Sequence, residues 1–285
     1  MTGITILTDS VACLLPEVRS RLGIGVVGIC ITLDGTLYHE GVDLTAEEFY
    51  AQFTDELDHK TVSPSVGDWY EAMQEAVDAG AAGLLVVTLA ATLSSAYDSA
   101  RTAAKLMAVP TVVVDSKTAA AAEGLFVRRL AEEARAGMTL DGLVARAERL
   151  RGSYHLEFVL DGLRRLAYSG RMPATMARFG DAVDVKLLLT LGPDGDVRLL
   201  GVVRGIHRGI DRIYRRVLSA FPPGTPGRAV VSHALLEDEA QQLATRLRGA
   251  RPELEVEIAL FTPVMGASTG PIVGVAWEDP AVSGG

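Results

Sequence analysis

Short apolar runs alternate with amphipathic segments through the first half of the chain. Residues 4–7, 84–89 and 111–114 are compact apolar runs that predict buried strands. Between these runs, the spacing of apolar residues over 69–77 and 97–107 predicts helices. Strands separated by helices of this length are typical of βαβ units, so we predict a mainly parallel, Rossmann-like sheet.

The same half contains one more apolar run and a long helical region. Residues 26–33 predict a further strand, and helical spacing dominates over 118–151, where Thr139 is expected to cap a helix. A glycine and a serine follow this region. We therefore predict an α/β N-terminal domain over 1–152 and an α+β C-terminal domain over 153–285.

The second half has a different pattern. Residues 186–190 and 197–203 are apolar runs joined by Gly-Pro-Asp-Gly, a turn composition that favours an antiparallel hairpin. A helix is expected to begin at Glu237 and to end with Gly249 as its C-cap. This half is predicted to hold a mixed or antiparallel sheet, with three further strands at 229–231, 256–261 and 271–277.

Composition narrows the class of protein. The 285 residues are 48% hydrophobic and 22% charged, which is typical of a globular protein with a large core. A net charge of −9 argues against a nucleic-acid partner. Two cysteines without metal-ligand spacing indicate a reduced cytoplasm. With no leader pattern and no apolar run of about 20 residues, we expect a soluble protein without an integral membrane segment.

Hydroxyl and carboxyl side chains follow three of the predicted strands. They occur at 8–10, at 92–95 and at 115–116. In open α/β sheets ligands collect where strands end, and a helix N-terminus there attracts carboxylate or phosphate. The alternative is simple helix capping, which the same residue types perform in any protein.

Three other segments are candidates for binding. Residues 61–65 form a fourth hydroxyl cluster, and residues 266–271 form a small-residue loop that would let backbone approach a ligand. Arg171 could pair with an anion or lie on the surface. Common nucleotide and hydrolase motifs are missing, and no two histidines have metal spacing. No cofactor or metal is expected, and the residue pattern alone indicates an anion-binding α/β protein.

In their order and spacing, these segments resemble the DegV family. The resemblance runs from residue 4 to about residue 274 and is carried by 8–10, 60–65, 93–100, 169–171 and 266–271. It implies a two-domain protein that binds one long-chain fatty acid at the domain interface. It also implies a carrier without catalytic residues, which presents the carboxylate to the catalytic subunit of a separate, ATP-using fatty acid kinase.

The resemblance also assigns site residues. Thr61 and Ser94 would hydrogen-bond the carboxylate, and Arg171 would lie near the site or face the partner. The 266–271 loop would close over the head group. The ligand-binding set is then Thr61, Ser63, Ser94, Ser95, Arg171, Gly266, Ser268 and Thr269.

The chain departs from the family pattern in the auxiliary donors. The family often has a histidine where Ser268 stands, and hydroxyl residues where Val62 and Ala96 stand. Ser94 and Thr61 are therefore expected to carry more of the head-group binding. Burial of each methylene of the acyl chain contributes about 0.8 kcal/mol, so affinity is expected to come from an apolar tunnel. The apolar stretches 156–166 or 172–179 of the second half are expected to line it.

A second function stays open at this point. The chain could be a stand-alone hydrolase or phosphotransferase that acts on a small anionic substrate with Ser94 as nucleophile. That reaction needs a base within hydrogen-bond reach of Ser94, and Asp9 and Asp115 are the candidates.

Overall fold

The computed structural model describes residues 3–54, 56–162, 164–171 and 185–283. Four strands of the first half form a parallel sheet in the order β2-β1-β6-β7, which confirms the predicted parallel sheet. The strands of this sheet, called the parallel sheet below, are β1 (Ile4–Asp9), β2 (Gly25–Val27), β6 (Gly83–Thr88) and β7 (Thr111–Asp115).

A small antiparallel sheet was not predicted. The predicted strand at 26–33 is wrong as a single element, because β2 ends at Val27 and a new strand starts at Cys30. At the break, a Cβ on Gly28 would lie 2.8 Å from the carbonyl oxygen of Glu40, so the two backbone segments meet where only glycine fits. The sheet has the order β4-β3-β5, with β3 (Cys30–Leu33), β4 (Thr36–His39) and β5 (His59–Val62).

Helices separate the strands of the first half, as predicted. The Thr139 side chain accepts a hydrogen bond from the Gly142 amide at 3.2 Å, which confirms Thr139 as an N-cap. A 3-10 turn covers Ser10–Ala12. The α-helices are α1 (Pro16–Leu22), α2 (Ala46–Ala51), α3 (Val66–Asp78), α4 (Ala96–Ala104), α5 (Ala120–Arg135) and α6 (Leu140–Leu150).

The second half forms a six-stranded mixed sheet, called the mixed sheet below, in the order β10-β9-β8-β13-β11-β12. Only the β11–β12 pair in this order is parallel, and the predicted β9–β10 hairpin is confirmed. Residues 154–160, which overlap the expected tunnel segment 156–166, also form a strand. The strands are β8 (Tyr154–Leu160), β9 (Val185–Leu191), β10 (Val197–Arg204), β11 (Gly227–Ala234), β12 (Leu254–Leu260) and β13 (Ile272–Glu278).

Two predictions for this half are wrong, namely the C-cap at Gly249 and the loop at 266–271. Gly249 lies inside its helix, and Arg251 is the C-cap, with its amide bonded to the Leu247 carbonyl. Most of the expected 266–271 loop is helical, because Pro263 starts a helix at a position where its missing N–H costs nothing. The helices are α7 (Arg164–Tyr168), α8 (Ile206–Ala220), α9 (Glu237–Ala250), α10 (Pro263–Thr269) and α11 (Pro280–Ser283).

Helix α5 lies between the parallel and the mixed sheets. It packs against β1 on one side and against β8 and β13 on the other, and 11 of its residues are buried. Leu125, Phe126 and Leu130 belong to one apolar cluster with residues of both sheets. The two halves of the chain thus share one core, and a domain boundary at residue 152 stays a prediction.

No helix in the described part of the chain is long and apolar enough to cross a membrane.

Two helical glycines give a matched test of this packing. A Cβ on Gly124 of α5 would lie 2.3 Å from the carbonyl oxygen of Ala12, whereas a Cβ on Gly249 of α9 meets nothing within 4 Å. Gly124→Ala should lower the free energy of unfolding by about 1–3 kcal/mol through overpacking. Gly249→Ala should raise it by about 0.4–1 kcal/mol, because alanine loses less entropy in a helix. Urea unfolding measures both, and equal effects would contradict the close packing of α5.

Candidate functional site

A pocket lies at the carboxyl ends of three strands of the parallel sheet. It encloses about 880 Å³ of empty space, part of it open to solvent. Val11, Leu89 and Ala119, which follow β1, β6 and β7 respectively, line one side. This is the place where ligands bind in open α/β sheets.

The mixed sheet and its helices form the other side of the pocket. The lining from this half is mostly apolar and includes Leu156, Phe158, Leu166, Phe261, Val264 and Ile272. Residues 156–166 were expected to line a tunnel, and Leu156, Phe158 and Leu166 line this pocket. Residues 172–179, the other expected tunnel segment, lie outside the described residues.

Six of the eight residues assigned to ligand binding line this pocket. They are Thr61, Ser63, Ser94, Arg171, Ser268 and Thr269, and we call all of them except Arg171 the hydroxyl end of the pocket. The other two are elsewhere. Ser95 occupies the N-cap position of α4, is exposed and makes no side-chain cap. Gly266 is buried in α10, where a Cβ would lie 2.2 Å from the hydroxyl oxygen of Tyr50.

Ser63 and Ser94 are hydrogen-bonded to each other. Their hydroxyl oxygens are 2.8 Å apart, and the Ser94 oxygen also accepts a bond of 3.2 Å from the Ala96 amide. Two hydroxyl groups have two hydrogens, and their mutual bond uses one of them. The pair therefore has one O–H left to donate to an anion.

The hydroxyls of α10 already donate within their own helix. Ser268 donates to the Val264 carbonyl, and Thr269 donates to the Met265 carbonyl, both at 3.0 Å. Each keeps lone pairs that can accept a hydrogen bond but must leave its helix partner before it can donate to a carboxylate. The donors that this pocket offers most readily are thus the Ser63–Ser94 pair and Thr61.

Arg171 lies at the solvent side of the pocket. Its side chain is exposed, and its Nη1 donates to the Ser169 carbonyl at 2.5 Å, while its backbone amide donates to the Ser169 hydroxyl at 3.3 Å. Val62, next to Thr61, is 50% exposed. The pocket therefore has a cation at its solvent side, and the segment that carries Thr61 reaches the molecular surface.

Neither candidate base is hydrogen-bonded to Ser94. Asp9 accepts from the Val11 and Leu89 amides at 3.1 and 2.9 Å, and burial raises its pKa to about 7. Asp115 accepts from the Lys117 and Ala91 amides at 2.9 and 3.3 Å. Both carboxyl groups order backbone turns at strand ends, which is the capping role that the sequence left open.

Metal binding finds no support in this part of the protein. The described segments contain no group of three or more histidine, cysteine, aspartate or glutamate side chains that could hold an ion.

Sequence reasoning missed the residues that hold α10 in place. The buried Glu40 accepts from the Val264 amide at 2.9 Å and from the Ser10 hydroxyl, and burial raises its pKa. Tyr50 donates to the Phe261 carbonyl at 2.8 Å. Both contacts join residues more than 200 positions apart, so no local pattern could have indicated them.

The comparisons with known proteins agree on one family. The model of the DegV family, described as "Uncharacterised protein, DegV family", matches residues 3–279. A DegV domain-containing protein of Streptomyces coelicolor is 32% identical over 269 residues, which cover 94% of this chain and 95% of that protein. One of Listeria monocytogenes is 27% identical, with 96% and 98% covered.

Solved structures have the same fold. A DegV family protein from Thermus thermophilus, described as binding fatty acid, has a TM-score of 0.88 and 27% identity, with 97% of this chain and 99% of that chain covered. DegV of Bacillus subtilis, a fatty acid binding protein, has a TM-score of 0.87 and 23% identity, with 98% and 100% covered. These matches confirm the predicted α/β fold, and the family match spans nearly the whole chain. This protein is a member of the DegV family.

Proposed function

We propose that the protein binds one long-chain fatty acid, with the acyl chain in the apolar part of the pocket and the carboxylate at the hydroxyl end. The observation that carries this proposal is an apolar cavity whose polar lining consists of hydroxyl side chains and one arginine, with two of the hydroxyls hydrogen-bonded to each other. The Thermus relative, described as a fatty-acid binder, supports the same ligand class.

The two ends of the ligand would contribute differently. Each buried methylene contributes about 0.8 kcal/mol, so a long chain supplies most of the affinity. The carboxylate would accept the spare O–H of the Ser63–Ser94 pair and that of Thr61. Such charge-assisted hydrogen bonds fix the orientation of the ligand.

We further propose that the protein is a cytoplasmic carrier that presents the carboxylate to a separate fatty acid kinase. Exposed Arg171 and Val62 support this, because they bring the hydroxyl end to a surface that a partner can reach. The hydrogen bonds of Ser94 support a carrier over a stand-alone hydrolase or phosphotransferase, because they lead to Ser63 and to a backbone amide and not to a base. Both cysteines are free, as expected in a reducing compartment.

Native mass spectrometry of the purified protein tests the ligand. The spectrum should show an adduct with the mass of one long-chain fatty acid, because an apolar pocket of this kind retains its ligand through purification. Denaturing conditions should remove the adduct. Protein that carries no adduct and does not bind added oleate would refute the proposal.

Substitution of Ser94 tests the head-group contact against a matched neighbour. Ser94→Ala should weaken oleate binding by about 1–3 kcal/mol, because the carboxylate loses either the Ser94 donor itself or the partner that holds the Ser63 hydroxyl in position. Ser95→Ala should leave the affinity unchanged, because Ser95 lies outside the pocket. Fluorescence titration of both variants measures the difference, and equal affinities would place the carboxylate elsewhere.

The requirement for a partner is tested by incubation with ATP, Mg²⁺ and oleate. The protein alone should produce neither ADP nor an acyl phosphate, because Ser94 has no base to activate it. Turnover by the protein alone that Ser94→Ala abolishes and Ser95→Ala preserves would instead support the enzyme alternative.

A further inference from the structure

Helix α10 carries four residues of the pocket and is held at both ends by buried charged side chains from other elements. Val264, Met265, Ser268 and Thr269 line the pocket. At the N-terminal end, Glu40 accepts from the Val264 amide. At the C-terminal end, Arg165 of α7 donates from Nη1 to the Ala267 carbonyl at 3.2 Å. An acid at the start and a base at the end both match the helix dipole.

Arg165 connects α10 to the segment that leads into β5. Its Nη2 donates to the Thr54 carbonyl, and its guanidinium lies 4.4 Å from the centre of the Phe53 ring. Nη1, which bonds the Ala267 carbonyl, also lies 3.3 Å from Nδ1 of His59, the first residue of β5. The same guanidinium therefore touches the residue before Ser268 and the strand that carries Thr61.

The contact with His59 requires a particular state of the imidazole. A guanidinium only donates, so Nδ1 must accept, and the neutral tautomer with its hydrogen on Nε2 meets this need. In the protonated ring both nitrogens carry hydrogens, and Nδ1–H would then point at Nη1–H. The Leu57 carbonyl lies 3.5 Å from Nδ1 and is the acceptor to which the protonated ring can turn.

We propose that Arg165 is a positioning residue for the hydroxyl end of the pocket and that it holds α10 against β5 only while His59 is neutral. This inference rests on the proposed fatty-acid function. Acid would break the Arg165–His59 contact, loosen α10 relative to Thr61 and speed ligand release.

The surroundings of His59 set the direction of the pH effect. Burial lowers the pKa of His59 and the Arg165 charge adds to this effect, whereas the Leu57 carbonyl and Asp58 act in the opposite sense. The Tyr168 ring of α7 lies 5.6 Å from the imidazole at an angle of 54°, and its hydroxyl donates to Asp58. An unrestrained histidine titrates near 6.5. Conformations in which the Arg165–His59 contact is broken therefore bind a proton more readily, and their population rises as the pH falls below about 6.5.

The His59→Gln variant is the main test. Glutamine offers a carbonyl oxygen to Arg165 and does not titrate. Between about pH 7.5 and 5.5, the wild type should lose roughly tenfold or more in oleate affinity and His59→Gln roughly threefold or less. His207→Gln, an exposed histidine on α8, is the matched control and should follow the wild type. The oleate carboxyl and Glu40 are present in the wild type and in both variants. Their titration therefore cannot cause a difference between the three proteins.

Substitution of Arg165 tests positioning directly. At about pH 7.5, Arg165→Met should speed oleate dissociation roughly tenfold, with Arg165→Lys between it and the wild type. Arg149→Met removes an exposed arginine of α6 and should change nothing. Thermal unfolding checks that each variant is folded, and if Arg165→Met does not fold, the His59→Gln comparison decides.

Failure of the inference and failure of the proposed function are distinguishable. Wild-type protein that binds no oleate at any pH refutes the fatty-acid function. Two outcomes would overturn only the role of Arg165 and His59 when the wild type binds oleate. One is that His59→Gln loses the same factor in affinity on acidification as the wild type. The other is that folded Arg165→Met releases oleate at the wild-type rate.

Discussion

The burial of α5 between the parallel and the mixed sheets is the interaction on which the rest of the structure depends. Its apolar residues fill the space between the sheets, and Arg128 ties it to Glu255 and Glu257 of β12 with contacts of 3.1 and 3.0 Å. Ala119, the residue before the helix, already lines the pocket. The packed helix thus separates the two sheets, and the pocket begins next to its N-terminal end.

The hydroxyl end and the apolar part of the pocket are built on different principles. Apolar side chains from both sheets tolerate small changes in ligand shape, because dispersion contacts have no direction. The hydroxyls need fixed positions, and the structure provides them through buried charged groups that bond to backbone amides and carbonyls around α10. Such groups are costly to bury unless they are fully engaged, so the framework around α10 keeps one arrangement as long as these groups keep their partners.

The sequence predicts the features that depend on local patterns. Strand runs, helix spacing and the cap at Thr139 are local, and Ser94 could be found because hydroxyls after a strand face the ligand edge of a parallel sheet. The helical state of 263–269 was missed because small residues have weak preferences and Pro263 acts through its position. Glu40, Tyr50 and Arg165 could not be found, since their partners become neighbours only when distant segments pack.

The Ser63–Ser94 pair has a further consequence. Hydroxyl groups keep the same charge across the whole physiological pH range, and each can rotate its hydrogen without moving its oxygen. Binding by this pair is therefore insensitive to acid. Each hydroxyl can also change from donor to acceptor at almost no cost in free energy. Any response of the protein to acidity must come from titratable groups outside the pair, which separates what the site recognises from the conditions under which it releases.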